Sequence, residues 1–384
     1  MRGTGRGIAM GVALVVAVAA PVAAQGPAIT EVVGGLNSPR GVAIGADGTI
    51  YVAEAGVGGT EPCATHSELG DMCFGASGAI TAVSGGEASP LVDGLASGLS
   101  ATGEAIGPSD VTVGADGTVW FLVGGPAAGS AEFRESIPDG AAAGMGQLYR
   151  IDADGLAQSV ADLADYETTV NPDAEQPGNA EPDSNAHGLV ETPEGAAIAD
   201  AGANTLLLVD AGGVISTLAV FPVVMQPAPP DPEAEPDPDA EPPMIPMDPV
   251  PTGVALGDDG ALYVGELTGF PFPPGGAAVY RVAPGEEPSV YADGFTNVID
   301  VEFALDGTLY VLELAHEGLL SAGEDGPPMG GLWKVPPGGG TAELITSDGL
   351  PMPGGLAVSA DGTVYVSTCT GCPPGAGGLV SIQP

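Results

Sequence analysis

Two aspartates, Asp110 and Asp300, stand just ahead of an apolar run, at a place where other copies of the same recurring stretch carry glycine. Carboxylate and amide oxygens suit Ca²⁺, which takes six to eight oxygen ligands. Asp110 and Asp300, with Asn185 and Asn297 as neutral oxygens, are therefore candidate Ca²⁺ ligands. The same residue types at strand ends also cap turns, or pair with Arg40 or with backbone amides. His187 belongs to the same series, and imidazole can serve as a general base near neutral pH. No Gly-x-Ser-x-Gly nucleophile motif accompanies it, so a hydrogen-bonded lining residue is the competing reading. Glu54, Asp200, Glu266 and Glu313 close a second apolar run in four copies of the stretch. His66 and His316 fall in long polar loops and read as surface residues, whereas Trp120 and Trp333 fall in apolar runs and read as core.

The element that must position these residues is a short apolar run, an Asp-Gly turn and a second apolar run. It appears at 45–54, 114–123, 192–200, 257–266, 304–313 and 359–368. Asp-Gly between two alternating runs signals a tight hairpin, expected as a type I′ turn because that turn needs φ > 0. Two further runs follow most copies, so the repeat is a four-stranded unit. Repetition of such a unit is the signature of a closed ring of blades. The sixth unit stops after 379–382, one strand short, while the apolar run at 28–33 has no hairpin of its own. The N-terminal strand is thus expected to complete the last blade and remove an exposed edge. The fold class is all-β, a six-bladed β-propeller; a pair of β-sandwiches does not explain sixfold recurrence.

In such a ring, loops entering the innermost strand and loops leaving the second strand share one face. Arg40, Glu54, Asp200, Glu266 and Glu313 are accordingly expected around the mouth of the central channel, with His187, Asp110 and Asp300. That face is the expected functional one.

Composition limits what the face can meet. With 7 Lys+Arg against 50 Asp+Glu the formal charge is −43, which excludes nucleic acid and anionic membrane as partners recognised through phosphate neutralisation. Residues 1–24 read as a cleavable signal peptide: Arg2 and Arg6, then an apolar stretch too short to span a bilayer, then Val22-Ala-Ala24. The mature protein, residues 25–384, is expected to be secreted or periplasmic, without a membrane span, and monomeric. Residues 226–249 alternate Pro with acids and read as an extended, disordered loop between blades three and four. Cys63 and Cys73 lie after strand two of blade one, and Cys369 and Cys372 at the same place in blade six. In an exported chain these four read as two disulfides, most simply Cys63–Cys73 and Cys369–Cys372. Cross-loop pairing and a Zn²⁺ site remain the alternatives.

Several stretches stand outside the generic repeat: Leu36-Asn-Ser-Pro-Arg-Gly-Val-Ala43, Asp162-Leu-Ala-Asp-Tyr-Glu167, Asn171-Pro-Asp173, Asp183-Ser-Asn185, Val264-Gly-Glu-Leu-Thr-Gly-Phe-Pro-Phe-Pro273 and Gly294-Phe-Thr-Asn-Val-Ile-Asp300. Across the mature chain these make the sequence resemble the ScyD/ScyE family of exported proteins. That resemblance implies an exported six-bladed propeller of the NHL/TolB-like kind and supplies no catalytic residues to carry over. Two function classes follow. The favoured one is a non-catalytic scaffold that binds a small molecule or an exported protein on its channel face. The alternative is a Ca²⁺-dependent hydrolase or lactonase resembling gluconolactonases and paraoxonases, which place an ion at a propeller's mouth.

Overall fold

The structure, a computed structural model, describes residues 26–66, 70–125, 130–152, 155–229, 242–321 and 326–384. The expected signal peptide and the central part of the acidic Pro-rich segment lie outside the described residues. Six four-stranded antiparallel blades form the ring; the first five run inner strand to outer strand in chain order, and the sixth takes its outer strand from the N-terminal end of the chain. The inner strands are Pro39–Ile44, Pro108–Val113, Ala186–Thr192, Pro251–Leu256, Val298–Phe303 and Leu356–Val358. Ile29–Leu36 pairs antiparallel with Gly377–Ile382, running from Ile29 opposite Ile382 to Leu36 opposite Gly377. The N-terminal strand therefore completes blade six, as the strand count demands.

The hairpin turns differ from the expected type I′. Gly48 N–H donates to Gly45 O at 2.9 Å and Gly45 N–H to Thr49 O at 2.8 Å. Of the Asp-Gly pair only Gly48 has positive φ, at 83°. This is a type I turn over Ala46–Asp47 followed by a left-handed glycine, the three-residue solution for a twisted hairpin. Asp47 keeps an ordinary backbone because its carboxylate accepts from Thr49 N–H at 3.0 Å. The bonds of Asp116 to Thr118 and Asp306 to Thr308 repeat the device. These exposed carboxyls are held below the usual range by those bonds.

The core is distributed between blades. Ile80, Phe121 and Phe74 fill the junction of blades one and two, and Val279, Val298 and Val311 that of blades four and five. Three additions depart from the plain repeat. Blade one extends its outer pair to Gly70–Ser84 and Glu87–Ser100, with Cys63–His66 pairing alongside. Two helices, α1 (Ser130–Ser136) and α2 (Leu163–Val170), flank the third and fourth strands of blade two. A hairpin pairs Val224–Pro227 with Met244–Met247 at the base of the acidic segment. Both disulfides are local, Cys63–Cys73 and Cys369–Cys372. Each staples its own loop.

Candidate functional site

Six residues meet where the inner strands approach one another most closely: Gly41, Asp110, Gly188, Gly253, Asp300 and Gly355. A Cβ on Gly41 would lie 1.8 Å from Asp110 Oδ1, and one on Gly253 would lie 2.5 Å from Asp300 Cα. A Cβ on Gly355 would lie 2.7 Å from Gly41 Cα. No side chain fits at the glycines without a shift, so of these six residues only the two aspartates carry one. Asp110 accepts from its neighbour's amide, Val111 N–H, at 2.8 Å and from Leu189 N–H of the next blade at 2.7 Å. Asp300 repeats this with Val301 N–H at 2.8 Å and Leu356 N–H at 2.8 Å. Each aspartate sutures its blade to the following one. Ser109 Oγ donates to Ala186 O at 3.0 Å, and Thr252 Oγ1 to Val298 O at 2.8 Å, adding sutures one residue earlier.

Below this ring the channel opens to a cavity of about 180 Å³, lined by Asp110, Asp300, Glu302 and the apolar inner strands. Burial and the charge of Asp300 push Asp110 far above the usual carboxylate range; burial raises Asp300 too. Burial and Asp300 push Glu302 to about 8. His187, half-buried, is pushed down to about 3 by burial and by Arg40, so it is neutral near pH 7 and a poor proton acceptor. Arg40 donates through Nη2 to Ala105 O at 2.5 Å.

The carboxylates at the ends of the second strands stand inside the blades. Glu54, Asp200, Glu266 and Glu313 are only 7, 0, 5 and 0% exposed. Glu54 accepts from Asn37 N–H at 2.6 Å and from Thr81 Oγ1. Glu313 accepts from Thr296 N–H at 2.7 Å, its other oxygen meeting His316 Nδ1 at 2.6 Å. Asp200 accepts from Asn185 N–H and Ser184 Oγ, both at 2.7 Å. These three latch the loop that leads into their own inner strand. In blade four the place four residues before the ring glycine is Pro249, which has no N–H to give. Burial accordingly pushes Glu266 to about 8, tempered only by the Ala278 amide.

Of the other two candidate ligands, Asn297 spends its amide on Leu267 O at 3.0 Å and Leu319 N–H at 3.1 Å. Asn185 lines a separate pocket, off the channel axis, between the loops of blades three and four. Among the described residues no three His, Cys, Asp or Glu side chains stand close enough together to hold a metal ion.

That off-axis pocket has a volume of about 390 Å³, and its polar lining includes Asp173, Asn179, Asp183, Asn185, Asn204 and Asp248. It lies on the channel-mouth face, because its walls are loops entering the inner strand and leaving the second strand of blade three. Four of the six stretches outside the generic repeat build or brace it: 162–167, 171–173, 183–185 and 264–273. Helix α2 starts at Asp162, whose carboxylate accepts from Asp165 N–H at 2.9 Å. The Arg134 guanidinium grips the same carboxylate at 3.0 and 2.8 Å, fixing the helix entry. The helix buries Leu163, Ala164 and Glu167; the spacing from Leu163 to Glu167 puts the glutamate on the apolar face. The helix ends on Asn171 at φ 41°, turning the chain into Asp173. There Oδ2 accepts from Asn179 Nδ2 at 2.7 Å and Asn204 Nδ2 at 2.9 Å. The 264–273 stretch zips along 248–250: Gly269 N–H donates to Asp248 O at 2.7 Å and Thr268 N–H to Pro249 O at 3.0 Å.

Behind the pocket Glu167 is 1% exposed, and neither carboxylate oxygen has a hydrogen-bond partner. Burial, then the charges of Asp200 and Asp173, push it to about 8; the Asp183 amide lies near enough to temper the shift without normal hydrogen-bond geometry. Asp248 Oδ1 is likewise buried and unpartnered. Glu167, Asp173 and Asp183 sit in stretches outside the repeat, where spacing along the chain gives them no role. The available signal was an acid in helical register with Leu163.

No protein-family model matches the sequence, and no curated protein sequence matches it. Solved structures do resemble it. A Bacteroides thetaiotaomicron protein of unknown function gives a TM-score of 0.53 at 9% identity, over 92% of this chain and 75% of that one. A gluconolactonase from Xanthomonas campestris gives 0.52 at 11% identity, over 93% and 89%. Virginiamycin B lyase from Staphylococcus aureus gives 0.46 at 13% identity, over 88% and 81%. At these identities the likeness is one of fold: the chain is a six-bladed β-propeller.

Proposed function

We propose that this chain is an exported, ScyD/ScyE-like propeller that binds a small molecule on its channel-mouth face, in the pocket between blades three and four. The observation that carries the reading is the convergence of the non-repeat stretches. Residues 162–173, 183–185 and 264–273 all build or brace one polar pocket large enough for a small ligand, and the helix at 163–170 and the 267–273 loop go beyond what four strands per blade require. Specific pockets combine shape with a few convergent polar groups, and Asp173, Asp183, Asn185 and Asp248 supply these. The test is a thermal-shift screen of small molecules against the wild type and an Asp248→Asn variant. A hit that raises the wild-type melting temperature but not the variant's supports the reading; hits that stabilise both equally overturn it.

A second reading, a Ca²⁺-dependent lactonase, rests on Asp110, Asp300 and Glu302 lining one cavity; because these three do not converge to ligand spacing, the ion would have to take further oxygens from water or substrate. It predicts lactone hydrolysis that chelator abolishes and Asp300→Ala removes. Lactonase activity indifferent to chelator, or none at all across a lactone panel, sinks it.

A further inference from the structure

The second strands of the ring share an aromatic column that blade three alone breaks. Two places beyond the ring residue, the inner strand pairs with Tyr51, Trp120, Tyr263, Tyr310 and Tyr365 in blades one, two, four, five and six. In blade three the same place pairs with Ala197. Each of the five aromatic side chains packs into the core between its own blade and the next. Between blades three and four, where the column has no ring, lies an apolar cavity of about 330 Å³. Its walls include Leu208, Leu218, Leu256, Leu262 and Val282, with Glu194 at the rim. Ala197 faces the same side: it pairs with Leu208, and directly opposed residues share a face. It also belongs to one core cluster with Leu262 and Val282. The cavity is bounded by hairpin turns, at Glu194 and at Gly260, so it opens away from the channel mouth.

The next junction shows what fills this place elsewhere. Between blades four and five, Tyr263 meets Tyr291 and Phe303 edge to face, with ring centres 4.8 Å apart in both pairs. The matching positions at the cavity are Ala197, Leu218 and Leu256. Leu218 sits in the outer-strand bulge that holds Tyr291 in blade four. Leu256 ends its inner strand as Phe303 ends the next one. One alanine and two leucines thus stand where the neighbouring junction has three rings. The Tyr263 hydroxyl donates to Asp259 Oδ2 at 3.2 Å, and Asp259 is the acid of an acid-Gly turn. The acid of that turn in blade three is Glu194, exposed at the cavity rim.

We infer that this cavity is a second binding site, for a small neutral phenol whose ring takes the place of the absent tyrosine and whose hydroxyl donates to Glu194. Packed interiors leave few voids larger than a water molecule, and an apolar cavity lined by leucines takes up an aromatic ring rather than water. Glu194 is the one ionisable group among the lining residues. It offers a charged acceptor to a hydroxyl, and with a chain charge of −43 it disfavours an aromatic acid. A phenol titrates near 10 and is neutral at pH 7. The site is separate from the channel-mouth pocket and stands or falls without it.

Ligand-observed NMR titration at pH 7 tests this with p-cresol, which is the tyrosine side chain itself, beside toluene, 4-methylcyclohexanol and p-toluate. p-Cresol is expected to bind saturably at one site. Toluene, which lacks the donor, should bind about threefold to tenfold more weakly, and the other two probes more weakly than p-cresol. Glu194→Ala should bring p-cresol down to the level of toluene and leave toluene unchanged. Ala197→Tyr restores the column; it should raise the melting temperature and abolish p-cresol binding. Leu218→Tyr closes the rim at a residue 41% exposed, and should block the site even if Ala197→Tyr does not fold. Asp248→Asn, in the channel-mouth pocket, should leave p-cresol binding unchanged. Binding that survives the filling variants, or a preference over toluene that survives Glu194→Ala, overturns the inference. So does 4-methylcyclohexanol or p-toluate binding as tightly as p-cresol. Absence of saturable p-cresol binding overturns it as well, including the case where a second copy of the chain covers the cavity, seen as dimerisation that Leu218→Tyr breaks.

Discussion

The channel and the off-axis pocket use acidic side chains for opposite ends. Asp110 and Asp300 each accept two backbone N–H bonds, one of them from the next blade. Their acceptor capacity goes into closing the ring. Glu167 accepts none, and Asp248 leaves a buried oxygen unpaired. Burial therefore does not by itself mark a functional acid. The distinction lies in whether the backbone offers donors, and at the ring of inner strands it does so because each inner strand is the unpaired edge of its sheet, with amides free on the channel side. On the helix face that carries Glu167 the amides are already spent within the helix.

The contrast can be broken at its stiffest point first. Gly41→Ala would drive a methyl into the Asp110 carboxylate, at an expected cost of roughly 2–4 kcal/mol in urea unfolding. Combined with Asp110→Gly, much of that loss should return; if the double variant is no more stable than Gly41→Ala, the close approach is not the cause. Next, Asp110→Ala and Asp300→Ala each leave an inter-blade amide unpaired and should cost about 1–3 kcal/mol. Glu167→Gln at pH 7 should be neutral or stabilising by comparison. A channel variant milder than the pocket variant would reverse the argument.

The pH dependence of stability sharpens the same point. Glu167, Glu266 and Glu302 have folded pKa values of about 8, against 4.5 for the free side chain. The folded state holds more protons than the unfolded state between these values. Stability from such groups is thus full below about 4.5 and is lost as pH rises to about 8. Melting temperature measured from pH 5 to pH 8 should fall, and Glu167→Gln should flatten part of the slope. A curve rising over that window would contradict the assigned shifts. The smallest effect is expected in blade four. Glu266→Gln should change stability by less than about 0.5 kcal/mol at pH 7, because the native carboxyl is already neutral there. Glu54→Gln, which breaks a carboxylate latch to Asn37, should cost about 1–3 kcal/mol.

Much of the architecture was legible in advance. Strand number, blade order and the N-terminal strand of blade six follow from counting apolar runs between turns. The local cysteine pairs are the simplest of the arrangements their loops allow, and the structure has them. Turn type did not: Asp-Gly signals a hairpin, but whether the aspartate takes positive φ depends on its bond to the threonine two residues on. The helices at 130–136 and 163–170 were missed because each is barely two turns, shorter than the window in which helical periodicity stands out. The second-strand acids were placed at the right height and the wrong depth. Spacing tells which end of a strand a residue occupies, while only packing tells whether its side chain reaches a channel or folds back onto its own loop.

The sequence by itself determined the ring, because a hairpin repeated six times has few ways to bury its faces and cover its edges. It also determined that Asp110 and Asp300 break a glycine column. What they do there was decided by tertiary structure alone: the amides of Leu189 and Leu356 arrive from 79 and 56 residues away. The pocket was decided at the same level. Its acids come from a helix, a strand-entry loop and the stem of the acidic segment, and no spacing along the chain relates them. The packing of consecutive blades brings those three together.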